Sequence, residues 1–296
     1  MRIIIDSNGL AYRSLFSMGD LKHNQNKTGV IFGFLSEVRN LAEKFSCNQF
    51  IFCWDSKNSY RKLICPEYKE NRSHLLSSEK EILEIAYKQF NLLRDEILPN
   101  MGFRNIFIQS GYEADDLIAW IVYRLPDNYL IATGDDDLLQ LLKDHPKYPI
   151  EIYNLRVKKI ITEEDFTKKY GIKPIDWSIV KSIGGCSSDN IKGISGVGQE
   201  SAIKYLNNNL KDGAIKKKIE SIEGKKITQD CMELVHLPFV GDREISIIKD
   251  REEFYKDDIF YSLNFMDTFK KYGCFSFVTE DGLNRWRKSF NLISGR

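Results

Sequence analysis

Two acidic runs in this chain carry residue types that could do chemistry together: Gly111-Tyr112-Glu113-Ala114-Asp115-Asp116 and, about twenty residues on, Ala132-Thr133-Gly134-Asp135-Asp136-Asp137. Their carboxylates lie beside apolar runs with the character of core, where like charges sharing a site cannot all stay ionised unaided. A divalent cation offsets both the repulsion and the desolvation. Hydrolysis of a phosphodiester by two such ions, about 3.5–4 Å apart, calls for a clamp of hard oxygen ligands, and Mg²⁺ takes carboxylate and water in preference to nitrogen or sulfur. Asp6, Asp55, Glu113, Asp115, Asp116, Asp135 and Asp137 supply that kind of set. Taken singly, each has an ordinary explanation, because a strand-end Asp caps a helix and an acidic first turn complements the helix dipole.

The elements that must position these acids are legible as patterns. Ile3 to Ile5 is a continuous β-branched run, the mark of a strand buried on both faces, and it stops at Asp6. Val30, Ile31, Phe34, Leu35, Val38, Leu41 and Ala42 recur at three and four, predicting a helix over about 28–45. Residues 49–54 predict a second buried strand, stopping at Asp55. A long amphipathic helix is predicted over 77–98, with Ser78 as N-cap and Glu81 at the capping-box position.

Strands follow at 103–108 and 129–132, a helix at 114–125 and another running from the Asp135 turn through Leu142, with a strand and hairpin at 150–153 and 158–161. This alternation predicts an α/β fold with a mainly parallel central sheet flanked by helices. Ligands of such sheets sit at the carboxyl ends of the strands, where Asp6, Asp55 and Asp135 each follow directly after one.

Beyond about residue 175 the pattern turns helical, with helices expected at 175–183 and 200–206 around Gly193-Ile194-Ser195-Gly196-Val197-Gly198. Such a turn lets backbone N–H groups approach a phosphate, although the same spacing also makes a simple tight turn. Lys192 and Lys204 nearby favour a DNA-backbone contact. The segment Tyr60 to Arg72 interleaves Arg61, Lys62, Lys69 and Arg72 with Tyr60 and Tyr68, which suits phosphate pairing and base stacking, although taken alone it reads first as a solvated basic loop. Lys216 to Lys218 reads as a solvated helix face, and the aromatic-rich tail 254–296 as helix mixed with short strands and no assigned chemistry.

Bulk composition narrows the class. The 296 residues are 42% hydrophobic and 29% charged, enough to bury a core, and a net charge of +1 gives no global electrostatic case for nucleic acid. The six cysteines show neither CxxC spacing nor a His cluster, so neither a zinc motif nor a disulfide framework is indicated. Without a secretory pattern or a run approaching 18 apolar residues, a cytoplasmic protein is expected.

On these residues the chain resembles the 5′ nucleases, which include flap endonucleases, the 5′-nuclease domain of bacterial DNA polymerase I and bacteriophage 5′-exonuclease/RNase H proteins. The matching motifs are Ile4-Ile5-Asp6-Ser7-Asn8, Trp54-Asp55, the pattern from Arg61 through Pro66, Tyr68 and Lys69 to Asn71-Arg72, Glu113-Ala114-Asp115-Asp116, Thr133-Gly134-Asp135 with Asp137, and Ser188-Asp189-Asn190 leading into Gly193, Gly196 and Gly198. They fall in the family's order over residues 1 to about 206, and the length and tail match a phage-type member.

The resemblance implies a PIN-like nuclease core over 1–180, with an arch or clamp at about 56–100, and a helix-hairpin-helix and C-terminal region over 181–296. It implies cleavage near the 5′ ends of DNA flaps and nicks and of RNA primers in RNA–DNA hybrids, alongside replication partners such as a single-stranded DNA-binding protein. Asp6, Asp55, Glu113, Asp115, Asp135, Asp137 and Asp189 would hold two Mg²⁺ or Mn²⁺ ions, with Asp116 supporting them and Lys69 and Arg72 contacting the scissile phosphate. Arg61, Tyr68, Lys192, Gly193, Gly196, Gly198 and Lys204 would bind DNA, with a K⁺ ion on the carbonyls of the glycine turn.

One position departs from the family, which carries an acid three residues before Asp189 where this chain has Cys186. A thiol is a poor Mg²⁺ partner, so the second site is expected to be weak, water-filled or served by Asp189 alone. Two other classes share part of this pattern. An aspartyl-nucleophile phosphatase needs a second acid two residues after Asp6, where Asn8 stands. A DNA-structure binder with an impaired second metal site would hold flap DNA without cutting it.

Overall fold

The computed structural model of the chain describes residues 1–73, 77–239 and 254–293. In chain order the first half comprises β1 (Arg2–Asp6), α1 (Ser7–Met18), β2 (Lys22–His23), β3 (Asn26–Lys27), α2 (Gly29–Phe45), β4 (Phe50–Trp54), α3 (Arg61–Ile64), α4 (Ser77–Leu92), α5 (Leu98–Met101) and β5 (Ile106–Ile108). There follow α6 (Ala114–Arg124), β6 (Tyr129–Thr133), β7 (Ile150–Asn154), β8 (Lys159–Ile161), α7 (Glu163–Tyr170), α8 (Trp177–Gly184), α9 (Gln199–Leu206), α10 (Ala214–Glu220) and α11 (Ile222–Val235). Helices Ser262–Lys271 and Glu280–Phe290 end the described chain. Strand pairings are parallel between β1 and β4 and between β6 and β7, and antiparallel between β7 and β8. This is the expected mainly parallel sheet with flanking helices.

The chain forms two compact units from interleaved segments. The first comprises Met1–Asp55, Leu76–Phe107 and Lys249–Arg296. Its β1 and β4 run in register from Ile3 opposite Phe50 to Asp6 opposite Cys53, and every residue of Ile3–Ile5 and Phe50–Trp54 is buried. The apolar stripe of α2 (Val30, Ile31, Phe34, Leu35, Val38) is buried as its periodicity predicts, each such side chain contributing about 1.5–3 kcal/mol over exposure.

The tail helices supply the rest of this core. Phe290 meets Phe50 and Phe103 at ring distances of 5.8 and 5.6 Å, and Trp286 stacks on Phe290 at 5.3 Å. The described part of the tail is helical, with only an isolated bridge between Tyr261 and Ile293 in place of the expected strands. Its aromatics therefore serve packing.

Several local expectations shift for identifiable reasons. Helix α1 was not foreseen; it starts directly after β1 because Asp6 caps it, accepting a hydrogen bond from Gly9 N at 2.9 Å. Gly9 fits this cap where a larger residue would not, since a Cβ there would stand 2.2 Å from Asp6 Oδ2. Helix α4 begins at Ser77, so Ser78 is inside the helix instead of capping it, with its side chain outside the described residues. It ends at Leu92 and continues through one π turn (Leu93–Ile97) into α5. Strand β5 is only Ile106–Ile108, shorter than expected, and just before it Asn105 turns its side chain to the backbone of Lys256.

The second unit comprises Ser56–Leu75 and Ile108–Ile248. Its β6 and β7 pair from Tyr129 opposite Ile150 to Thr133 opposite Asn154. The turn after β6 is 3₁₀ over Asp137–Leu141 where an α-helix was predicted. At its entry Asp135 N donates to Thr133 Oγ1 and Asp137 N to Asp135 Oδ1, both at 2.9 Å, side-chain capping of the kind that satisfies first-turn N–H groups. Tyr68, Cys186, Ile191, Leu234 and Val235 form a small core here.

Candidate active site

In the second unit, Glu113 is the extended residue before α6, and Asp116 closes the first turn back on it, accepting from Glu113 N at 3.0 Å. Asp116 is fully buried and saturated. It also accepts two bonds of 2.7 Å from the Arg61 guanidinium and one of 2.8 Å from Phe239 N. Arg61 Nε donates to Leu234 O at 2.8 Å. Burial lowers the Arg61 pKa, but Asp116 and its hydrogen bonds outweigh that and raise it well above the ordinary value.

Arg61 and Tyr68, expected on a strand-gripping surface, are 3% and 2% exposed. The sequence reading is corrected here: their types suit DNA, but their burial makes them internal partners of the acids. The Tyr68 hydroxyl donates to Glu113 Oε2 at 2.9 Å, and burial drives its pKa upward. Lys69, held at φ +56°, donates to the same Oε2 at 2.7 Å and stands 3.8 Å from Asp189 Oδ1. Burial opposes ionisation of Glu113, yet Lys69 and Arg61 prevail and bring its pKa to about 2.

A second cluster follows β6. Asp137 Oδ1 pairs with Lys181 Nζ at 2.6 Å, while Cys186 Sγ lies 4.0 Å from Asp137 Oδ2, 3.9 Å from Asp189 Oδ2 and 3.0 Å from Ser188 Oγ. One ligand atom from each of Asp137, Cys186 and Asp189 falls within 4.8 Å of the others. Burial, then the Asp135 carboxylate, raise Asp137 to about 6 against the pull of Lys181. Carboxylates held this way gain from a divalent cation, and their oxygens suit a hard one; the thiol does not. Lys181 was missed in the sequence. The available signal is a lysine as the single charged residue of a helix, Trp177–Gly184, whose other residues are apolar or small.

The remaining candidates are distributed as follows. Asp115 is half-buried in the first turn of α6, and Asp135 is exposed at the end of β6. In the first unit, Asp6 caps α1, and Asp55 N donates to Asn8 Oδ1 at 3.0 Å, so Asn8 serves the backbone of Asp55. Arg72 lies in a 3₁₀ turn, Glu70–Ser73, and its side chain lies outside the described residues.

In the glycine turn, Gly193 (φ +60°) is demanded by packing, since a Cβ would stand 2.4 Å from Gly185 N. Gly196 has φ +75°, whereas Gly198, preceding α9, has ordinary φ and nothing within 4 Å of a Cβ. The fold thus leaves the backbone open at 198, where a glycine permits close approach of a ligand. Lys192 and Lys204 are exposed, with Glu67 at 3.5 Å and Glu200 at 2.7 Å.

Comparison with known proteins places this geometry. Residues 1–171 match the family model "5′-3′ exonuclease, N-terminal resolvase-like domain". A 5′-3′ exonuclease of Buchnera aphidicola subsp. Schizaphis graminum is 32% identical over 251 residues, spanning 83% of this chain and 79% of the relative. Among solved structures, a bacteriophage T5 flap endonuclease in a pseudo-enzyme-product complex with DNA and metal ions shares the fold with TM-score 0.64 and 23% identity, covering 80% of this chain and 89% of that one. The T5 5′-exonuclease with bound zinc gives TM-score 0.67 and 21% identity, covering 80% of this chain and 90% of the other. Among the described residues no helix is long and apolar enough to cross a membrane.

Proposed function

The chain belongs to the 5′-3′ exonuclease family, and from that premise we propose that it is a structure-specific 5′ nuclease that hydrolyses phosphodiesters near the 5′ ends of DNA flaps and nicks and of RNA primers in RNA–DNA hybrids. The observation that carries this reading is Lys69, whose ammonium stands between Glu113 and Asp189 at 2.7 and 3.8 Å. A cation between metal-type carboxylates is placed to meet a phosphate there.

The residues assigned to hold Mg²⁺ or Mn²⁺ are Asp6, Asp55, Glu113, Asp115, Asp135, Asp137 and Asp189. Bound divalent ions supply a water of lowered pKa and Lewis-acid stabilisation of phosphoryl oxygens. The chain's own groups do the rest. Lys69 offsets charge developing on the phosphate in the transition state, and Arg72 is assigned the same role.

Asp116 acts through others. With its carboxylate saturated, it fixes Arg61 and the start of α6, and so aims Glu113. Gly193, Gly196 and Gly198, with Lys192 and Lys204, are assigned to duplex backbone, the open backbone at Gly198 suiting a phosphate. A K⁺ ion on the carbonyls of that turn belongs to the same proposal.

The test is cleavage of a 5′-labelled flap DNA and a matched RNA–DNA hybrid in Mg²⁺ and in EDTA, with the Asp135→Asn variant alongside. Metal-dependent products near the 5′ junction that vanish in the variant are expected, and normal cutting by Asp135→Asn would refute the site assignment. Retained flap binding without cleavage by the unmodified protein would favour the non-catalytic binder.

A further inference from the structure

The two carboxylates around Cys186 are oriented alike. Asp137 gives Oδ1 to Lys181 and turns Oδ2 to the sulfur at 4.0 Å. Asp189 has Oδ1 toward Lys69 and turns Oδ2 to the sulfur at 3.9 Å. Each acid therefore meets a lysine with one oxygen and the thiol with the other, so that two oxygens and one sulfur face a common centre. Cys186 and Asp189 are buried, at 4% and 8% exposure, which shields the centre from bulk water and strengthens any charge interaction within it.

We propose that Asp137, Cys186 and Asp189 form a divalent-cation site selective for ions of the zinc class (Zn²⁺, Co²⁺, Cd²⁺) over Mg²⁺. The proposal deepens the nuclease reading and rests on it, since two of the three ligands are among the acids assigned to metal there. The selectivity follows from the donor set. Mg²⁺ demands near-octahedral oxygen and dehydrates reluctantly, whereas zinc-class ions accept mixed oxygen and sulfur in four-coordinate sites with one position left open. Three protein ligands with a fourth position for water match that second description. Binding forms a metal–sulfur bond and releases the thiol proton to solvent, with no change of oxidation state, so no oxidant or reductant is required.

The consequence is a nuclease whose second ion differs in kind from its first. Mg²⁺ alone would serve the all-carboxylate ligands and leave the Cys186 centre to a scarcer, tighter-binding ion.

The experiment titrates the DNA-free protein with Co²⁺ and reads thiolate-to-cobalt charge-transfer absorption in the near ultraviolet. Cys186→Ser and Cys186→Asp are titrated beside it, with folding of both variants checked by circular dichroism. The expected result is an absorption that saturates at stoichiometric Co²⁺, survives a large excess of Mg²⁺ and is absent in both variants. Co²⁺ affinity in Cys186→Ser should fall by more than about 100-fold, the upper end of what loss of a mere supporting partner costs.

No absorption in the unmodified protein, its displacement by Mg²⁺, or its persistence in either folded variant would overturn the proposal. Flap cleavage in Mg²⁺, measured in parallel, keeps the two readings separable. Absorption without cleavage would support the mixed-ligand site while defeating the nuclease reading, and cleavage without absorption would do the reverse.

Discussion

The two acidic neighbourhoods of the second unit use the same side-chain chemistry and reach opposite electrostatic states. Around Glu113 and Asp116, one guanidinium, one ammonium, a phenol and two backbone N–H groups converge, and Glu113 is held at about 2. Around Asp137 and Asp189, each carboxylate shares one lysine at its edge and faces a thiol, and Asp137 is held at about 6. Where the charges are already offset, the saturated Asp116 frames the start of α6 and holds Glu113 ionised beside it. Where they are not, an added cation has the most to gain.

The largest effect that could break this comparison is on stability. Arg61→Met leaves Asp116 buried without its cation, and removing one partner of a buried pair costs about 3–5 kcal/mol. Urea unfolding should show that loss, and a change below about 1 kcal/mol would mean that Asp116 is not the anchor described. Next comes Lys69→Ala. It removes a charge acting on the transition state more than on bound substrate, so kcat should drop about 100-fold while flap affinity changes little. A rise in Kd with kcat intact would move Lys69 into simple binding.

The smallest effect concerns a half-buried acid, Asp258 in the first unit, which sharpens the contrast because, among the described residues, no lysine or arginine side chain hydrogen-bonds to it. Burial raises it to about 6 against the Arg104 N–H at 2.7 Å and the Asn105 side chain. A carboxyl whose folded pKa is raised stabilises the fold below its ordinary pKa, and this contribution is lost as pH rises through about 6. Asp258→Asn keeps the acceptor and removes the ionisation. It should gain about 1 kcal/mol over the unmodified protein at pH 7 and nothing near pH 4, a figure discounted for the partial exposure of the group. An equal difference at both pH values would contradict this cause.

How much of this was legible in the sequence depends on what each residue's role requires. Asp6, Asp55 and Asp135 were placed correctly at strand ends, because a continuous apolar run broken by an acid reports burial and its end together. Arg61 and Tyr68 were misplaced, because their types are equally suited to a phosphate and to a buried carboxylate. Only the fold decides between these, here by pairing residue 61 with residue 116. Lys181 went unread for a related reason. A lysine as the single charge of a short, mostly buried helix signals a buried partner, but not that the partner is Asp137, 44 residues earlier (181 less 137). Helix α1 was missed because its capping residue had already been counted as the end of β1.

The most direct test of the central claim is the single-turnover rate of 5′-flap cleavage by Asp137→Asn at saturating DNA, in Mg²⁺ supplemented with stoichiometric Co²⁺ so that both kinds of site are supplied. The account predicts a fall of at least about 100-fold with flap binding retained. A rate within twofold of the unmodified protein would show that the acids around Cys186 take no part in the chemistry.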